Sequence, residues 1–256
     1  MNSLDPRTAI LLAAERDRRE VDRIDPQGAV GEDEAYRLQF EAIGEKLARG
    51  ETIVGLKTGL TSKAKQQTMG VLQPILGHLL ASTVIQNGGT VDTAPLIHPR
   101  AEPEIAFRLG RDLDGPTTLV QARAAAATVM PALEIIDSRF KDFKFGLADV
   151  IADNTSAARV VLGPETPVDP ARDLRLAGMV YSHNGEVVAT AAGAAILGDP
   201  WAALAWLATR AAELGRPLRR GQLVLAGALT DAIFVSPGDT VRVEFEGLGT
   251  LDAKFA

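Results

Sequence analysis

Apolar positions recur with two different periods along this chain, and the change between them falls near residue 50. In residues 1–50 the spacing is helical. Asp5-Pro6 reads as an N-cap followed by proline at the first helical position, ahead of an Ala/Leu/Arg-rich run over 8–19. Asp25-Pro26-Gln27-Gly28 breaks that run. Tyr36, Phe40, Ile43 and Leu47 then fall three and four apart and form one apolar stripe, which Gly50 ends.

From residue 51 the pattern is mostly that of strands. Residues 52–57, 104–109, 132–137, 223–225, 240–245 and 249–253 read as strands. Asn87-Gly88-Gly89 and Asn184-Gly185, each flanked by short β-branched runs, predict two β-hairpins. Helices are predicted over 117–129, over 201–214 with Gly215 and Pro217 behind it, and over 63–69 behind a Thr61-Ser62 cap. Hairpins argue against a purely parallel βαβ arrangement. The expectation is an α+β fold, with a helical N-terminal portion at 1–50 packed on a strand-rich body at 51–256, together one structural domain.

Composition narrows the function. The 256 residues carry a net charge of −6 and no basic stripe, which gives no support for nucleic-acid binding. There is no cysteine, so disulfides, thiolate catalysis and cysteine-ligated zinc are excluded. The three histidines, His78, His98 and His183, make a His-rich zinc site a poor expectation. Met1-Asn-Ser-Leu-Asp5 lacks a signal pattern, and no apolar run approaches the ~20 residues that span a bilayer. A cytoplasmic enzyme, bound to neither membrane nor nucleic acid, fits these features.

The most informative residues are Glu102 and Glu104, in Arg100-Ala-Glu-Pro-Glu-Ile-Ala-Phe107. In an extended strand, residues i and i+2 share a face, so both carboxylates would point to one place. Anions that close repel unless a proton or a metal ion lies between them. A third acid, Glu134, sits in the apolar run Pro131-Ala-Leu-Glu-Ile-Ile136. Three converging carboxylates make a hard oxygen site suited to Mg²⁺ or Mn²⁺. Two plainer readings stand beside it: Glu102 and Glu104 on the solvated face of an edge strand, and Glu134 paired with an arginine such as Arg100 or Arg139.

Four motifs together carry a resemblance. Gly55-Leu-Lys-Thr-Gly-Leu-Thr-Ser62, Glu102-Pro-Glu-Ile-Ala-Phe107, Ala132-Leu-Glu-Ile-Ile-Asp-Ser-Arg139 and Ile151-Ala-Asp-Asn154 occur in the order found in the fumarylacetoacetate-hydrolase-like superfamily. From about residue 30 onward the chain resembles its meta-cleavage branch of hydratases and decarboxylases. The resemblance implies a mixed β-sandwich roll with flanking helices, and one Mg²⁺ or Mn²⁺ on Glu102, Glu104 and Glu134. It also implies a 2-oxo dicarboxylate substrate, a homo-oligomer, and association with the hydratase of the next step.

Similar hydratases carry an acid where this chain has Ile75. Hydration needs a positioned proton donor or base, which isoleucine cannot supply. The implied activity is therefore decarboxylation of 2-oxo-3-hexenedioate to 2-hydroxypenta-2,4-dienoate and CO₂. The alternatives are hydration of that dienol, with Leu72-Gln73-Pro74 closer to hydratase wording, and a non-catalytic scaffold for the partner hydratase.

Lys57 is expected to be catalytic, stabilising or protonating the enolate oxygen, against the plainer reading of a surface lysine. Asp153, Asn154 and Ser156 are either an Asx turn or pocket lining. Arg139, with Lys141 and Lys144, is either a solvated loop or a lid that collects a dicarboxylate. Gly227 is either a strand-end glycine or a point of close approach to substrate. His98 reads as a structural histidine, and Trp201 and Trp206 as core or subunit contact.

Overall fold

A computed structural model describes residues 4–62, 66–67 and 71–256. Helix α1 (Pro6–Asp17) starts on the Asp5 carboxylate, which accepts the Arg7 amide at 2.9 Å, and ends where Arg18 turns left-handed. Helix α2 (Glu32–Ala48) has three acids in its first turn and Lys46 in its last, matching the helix dipole. Of its apolar stripe, Tyr36 and Ile43 are buried and Phe40 and Leu47 half-buried. The Tyr36 hydroxyl accepts the Leu76 amide, and the Gln39 amide donates to the carbonyls of Leu76 and Ile151. The N-terminal helices are thereby bonded to the body.

The body holds two sheets. Among the described residues the larger has nine strands. Its main path runs β2 (Ile75–Leu80), β1 (Ile53–Gly59), β11 (Leu223–Ala228), β5 (Arg100–Leu109), β6 (Ala126–Ile136), β7 (Ala157–Leu162) and β3 (Val84–Gln86). Two short strands, β8 (Thr166–Pro167) and β12 (Ile233–Phe234), pair with β6 and β5. The end strands β2 and β3 are joined by the three-residue turn Ala81–Thr83, so the sheet curls into a roll. The smaller sheet runs β10 (Glu186–Ala192), β9 (Gly178–His183), β13 (Thr240–Phe245), β14 (Gly249–Phe255) and β4 (Thr90–Val91).

Strand alternation sorts the residues of the roll. One face sends Leu56, Phe107, Leu133, Ile135, Val161 and Val224 into the main core, against the second sheet and helix α5 (Pro200–Glu213). There Trp201 stacks on Phe107 at 4.4 Å, and the Tyr181 hydroxyl crosses between sheets to the Ala101 carbonyl. The opposite face holds a smaller cluster of Leu79, Ala106, Met130, Ala132, Val160, Leu162, Leu223 and Leu225. The three glutamates alternate onto this inner face.

Several expectations are corrected. The helix expected over 117–129 is only α3 (Leu119–Ala125), held by a Thr118–Gln121 capping box. From Ala126 the chain is already strand, because the ladder with β5 runs on to Ala126 and outweighs the helix preference of the alanines. The strand expected from 104 begins at Arg100, which places Glu102 within it. Asn87-Gly88-Gly89 does not close a hairpin: β3 pairs with β7 and β4 with β14, in different sheets. The Asn87 side chain bonds the main chain at Thr250 and Asp252 instead, which draws the chain across to the second sheet. Strands β2 and β7 and helix α4 (Leu147–Ala152) were not anticipated. The Asn184-Gly185 hairpin forms as expected, both residues left-handed, between β9 and β10. Of the helix expected over 63–69, only Gln66 and Gln67 are described and both are helical; the rest lies outside the described residues.

Pro103 and Pro131 sit inside central strands, where proline is rare. Each falls where the outer neighbour changes, Pro103 between β11 and β12, Pro131 between β7 and β8. No ladder partner there needs the missing N–H.

Asp149, in α4, is fully buried. It accepts from the amides of Asp25 and Gly146 and from Arg23 Nε, at 2.6–2.9 Å. This carboxylate ties the stretch between α1 and α2 to the body. Asp149→Ala leaves buried donors unpaired and is expected to cost about 2–4 kcal/mol. Urea unfolding would measure the loss, and early proteolysis around residues 20–30 would locate it.

Candidate metal centre

Strand pairing brings the three acids together. Glu102 and Glu104 lie two apart on β5, and Glu134 on β6 is the direct cross-strand partner of Glu102. One oxygen of each lies within 4.8 Å of the others, and all three residues are buried. The edge-strand alternative is excluded, since β5 lies between β11 and β6. The arginine-pair alternative for Glu134 also fails: its counter-ion is Lys57, with Nζ 3.0 Å from Oε2.

Two of these carboxylates are under-satisfied. Glu104 Oε2 accepts the Gly227 amide at 2.8 Å and Glu134 Oε2 meets the Lys57 ammonium, but Glu104 Oε1 and Glu134 Oε1 have no hydrogen-bond partner among the described residues. Buried polar atoms are rarely left so, and an ion or water is the usual explanation. Burial first, and then the Glu134 charge, hold the Glu104 pKa well above the ordinary carboxylate value, against the pull of Lys57. Burial also raises the Glu134 pKa, with Lys57 opposing it. Among the described residues the trio meets the Lys57 ammonium, and the negative charge in excess of it is what a divalent cation neutralises. The all-oxygen donor set fits a hard ion such as Mg²⁺ or Mn²⁺.

Lys57 is buried on β1, and Nζ also donates to the Thr155 carbonyl at 3.1 Å. That carbonyl is presented by an unusual turn. Asn154, Thr155 and Ser156 all have positive φ, at 50°, 54° and 57°. Left-handed non-glycine residues cost roughly 1–2 kcal/mol each, so the turn must be held from outside. The Asn154 amide clasps the main chain of His78, accepting from its N–H at 2.7 Å and donating to its carbonyl at 3.0 Å. Thr155 Oγ1 donates to the Leu76 carbonyl. Ile75 pairs with Gly59 on the strand face that carries Lys57. The buried Ser156 hydroxyl has no partner among the described residues.

Other expected site residues are placed differently. Arg139 is not a lid residue. It is buried, its Nε paired with the Asp153 carboxylate and its terminal nitrogen with the Asp153 carbonyl at 2.6 Å. Asp153 is accordingly engaged with Arg139. Asn154 is spent on the β2 main chain, and Gly227 acts on Glu104. His98 is structural, its Nδ1 2.9 Å from Glu20. The sequence reading missed Thr155, whose carbonyl positions Lys57.

The family model described as fumarylacetoacetate (FAA) hydrolase C-terminal matches residues 52–256. A 4-oxalocrotonate decarboxylase of Pseudomonas sp. (strain CF600) is 44% identical over 223 residues, 87% of this chain and 84% of the relative. A 2-keto-4-pentenoate hydratase of Paraburkholderia xenovorans (strain LB400) is 41% identical over 225 residues, 87% and 83%. The solved 4-oxalocrotonate decarboxylase from Pseudomonas putida G7, complexed with magnesium and adipate, superposes with a TM-score of 0.94 at 38% identity, covering 100% of this chain and 99% of that one.

Two outcomes test the centre. A raised carboxylate pKa means that the metal-free folded chain holds protons the unfolded chain has released. Stability of the metal-free protein should therefore fall as pH rises above the ordinary glutamate value of 4.5, and added Mg²⁺ should restore it with proton release. Thermal melts and calorimetry across that range measure both. Gly227→Ala places a Cβ 2.2 Å from Thr61 Oγ1 at a φ of +107°, and is expected to weaken Mg²⁺ binding at least 10-fold by displacing the amide that holds Glu104.

Proposed function

The chain belongs to the fumarylacetoacetate hydrolase family, and from that premise we propose that it decarboxylates 2-oxo-3-hexenedioate (4-oxalocrotonate) in a meta-cleavage pathway, using Mg²⁺ or a similar divalent ion. The observation that carries this reading is the convergence of three buried carboxylates, Glu102, Glu104 and Glu134, with Lys57 on Glu134. The relatives named 4-oxalocrotonate decarboxylase, one of them solved with magnesium and a six-carbon dicarboxylate, support the choice of substrate.

The far carboxylate of the substrate is a vinylogous β-keto acid. Its C–C bond breaks, CO₂ leaves, and the electron pair runs through the chain to the 2-oxo oxygen, which is protonated to give 2-hydroxypenta-2,4-dienoate. The divalent ion, when bound, supplies Lewis-acid polarisation of the 2-oxo acid. Glu102, Glu104 and Glu134 would hold that ion. Lys57 stands beside them, aimed by Thr155, and stabilises the negative charge that develops on oxygen before donating a proton to it. Ile75 lies two residues along β2 from Gly77, the cross-strand partner of Lys57. It presents an apolar wall there, where hydration of a C=C bond would need an acid or base.

The hydratase reading is kept as the second one, because a hydratase is nearly as similar in sequence. Ile75 weighs against it. Scaffolding without catalysis is disfavoured by the complete carboxylate trio.

The finer reading extends to a cytoplasmic homo-oligomer able to associate with the hydratase that consumes the dienol. No helix of the described residues is long and apolar enough to cross a membrane. Val187 and Val188 are exposed on β10, the edge strand of the smaller sheet, which supports an interface there.

Purified protein with Mg²⁺ is expected to release CO₂ from 2-oxo-3-hexenedioate and to stop when the ion is chelated. A rate equal to the spontaneous one would sink the assignment, and decay of the dienol's absorbance without CO₂ would favour the hydratase. Lys57→Met should lower kcat roughly 100- to 1000-fold, with Mg²⁺ affinity retained.

A further inference from the structure

Arg100 has no part in the chemistry described above, yet its placement is unusual. It lies on β5 two residues before Glu102, so alternation puts its side chain on the face of the three glutamates. Its guanidinium sits between two aromatic rings, 4.1 Å from the Phe143 centroid and 4.2 Å from that of Phe234. Phe234 is its register partner on β12 and is 64% exposed, so this end of the strand faces solvent. Arg100 Nε is buried without a hydrogen-bond partner among the described residues.

We propose that Arg100 is the receptor for the far carboxylate of the 2-oxo dicarboxylate, and that it sets the preference for dicarboxylates over monocarboxylates. This assignment rests on the reading of the three glutamates as the seat of the 2-oxo acid end. Two residues of strand advance about 6.7 Å, which matches the span of an extended six-carbon diacid anchored near Glu102. The guanidinium carries the Phe143 and Phe234 rings close to its Cζ, and its N–H groups lie in its own plane. That plane is where a carboxylate binds through paired, charge-assisted hydrogen bonds. Among the described residues, Lys57 is committed to Glu134 and Arg139 to Asp153. The next inner-face arginine along β5, Arg108, is paired with Glu165.

The contact acts on binding rather than on the bond-breaking step, because the carboxylate charge it holds disappears as CO₂ forms. Binding of 2-oxoadipate and 2-oxohexanoate to the Mg²⁺-loaded full-length protein, read by calorimetry, tests this. The two acids share the chelating end and differ in the far carboxylate. Wild type is expected to favour the diacid roughly 10- to 100-fold. Arg100→Met should bring that ratio to about one, with affinity for 2-oxohexanoate and Mg²⁺ unchanged. In turnover it should raise KM without a comparable fall in kcat.

Phe234→Ala alters a mostly exposed side chain and leaves the fold intact. It should weaken diacid binding ~2- to 5-fold by freeing the guanidinium. Should Arg100→Met not fold, Arg100→Lys keeps the charge without the planar fork and is held to the same loss of preference. A preference retained in the variant, or equal loss for both acids, overturns the role of Arg100 alone. A wild-type protein that binds neither acid overturns the reading of the glutamates, and this assignment with it.

Discussion

Repulsion among three buried carboxylates is the constraint around which the roll is organised. Glu102, Glu104 and Glu134 meet on the inner face of a curled sheet, away from the water that would screen them. One ammonium, Lys57, offsets part of the charge. The remainder favours protonation when no ion is present and rewards a divalent cation when one is. A fold that selected only for stability would replace such a cluster with apolar residues. Its survival in a sheet whose neighbouring inner positions are Ala106, Ala132 and Leu225 marks it as functional.

The surrounding structure holds this cluster in place. Gly227 anchors Glu104 through its amide. A left-handed turn at 154–156, clamped by Asn154 on His78 and Thr155 on Leu76, aims a carbonyl at Lys57. Arg139 and Asp153, pairing with each other, brace the chain that enters the turn. Side chains that looked like ligand contacts are thus supports, which keep the reacting groups within a narrow geometry. Proline in the two central strands fits the same economy, since each sits where its sheet neighbour ends.

The outcome for individual residues follows the range of the forces involved. Glu102 and Glu104 share a face because of the strand repeat alone, and an acid at 134 in an apolar run signals burial that needs compensation. Both inferences are local. The partner of Glu134 is not: Lys57 lies 77 positions away and reaches it only because β1 and β6 belong to one rolled sheet. Arg139 misled for a related reason. A basic cluster with an aspartate inside it looks solvated in one dimension, whereas in the fold Asp153 folds back to bury one of its members.

The amino-acid sequence by itself determined the α+β class, the Asn184-Gly185 hairpin, the amphipathic α2 and the convergence of two acids, since each depends on contacts a few residues apart. Tertiary structure alone decided that residues 126–129 are strand rather than helix, that Asn87-Gly88-Gly89 carries the chain between sheets, and that Lys57 rather than an arginine answers Glu134. Those outcomes depend on which distant strand supplies hydrogen bonds and opposite charge, and that choice is made only when the whole sheet closes.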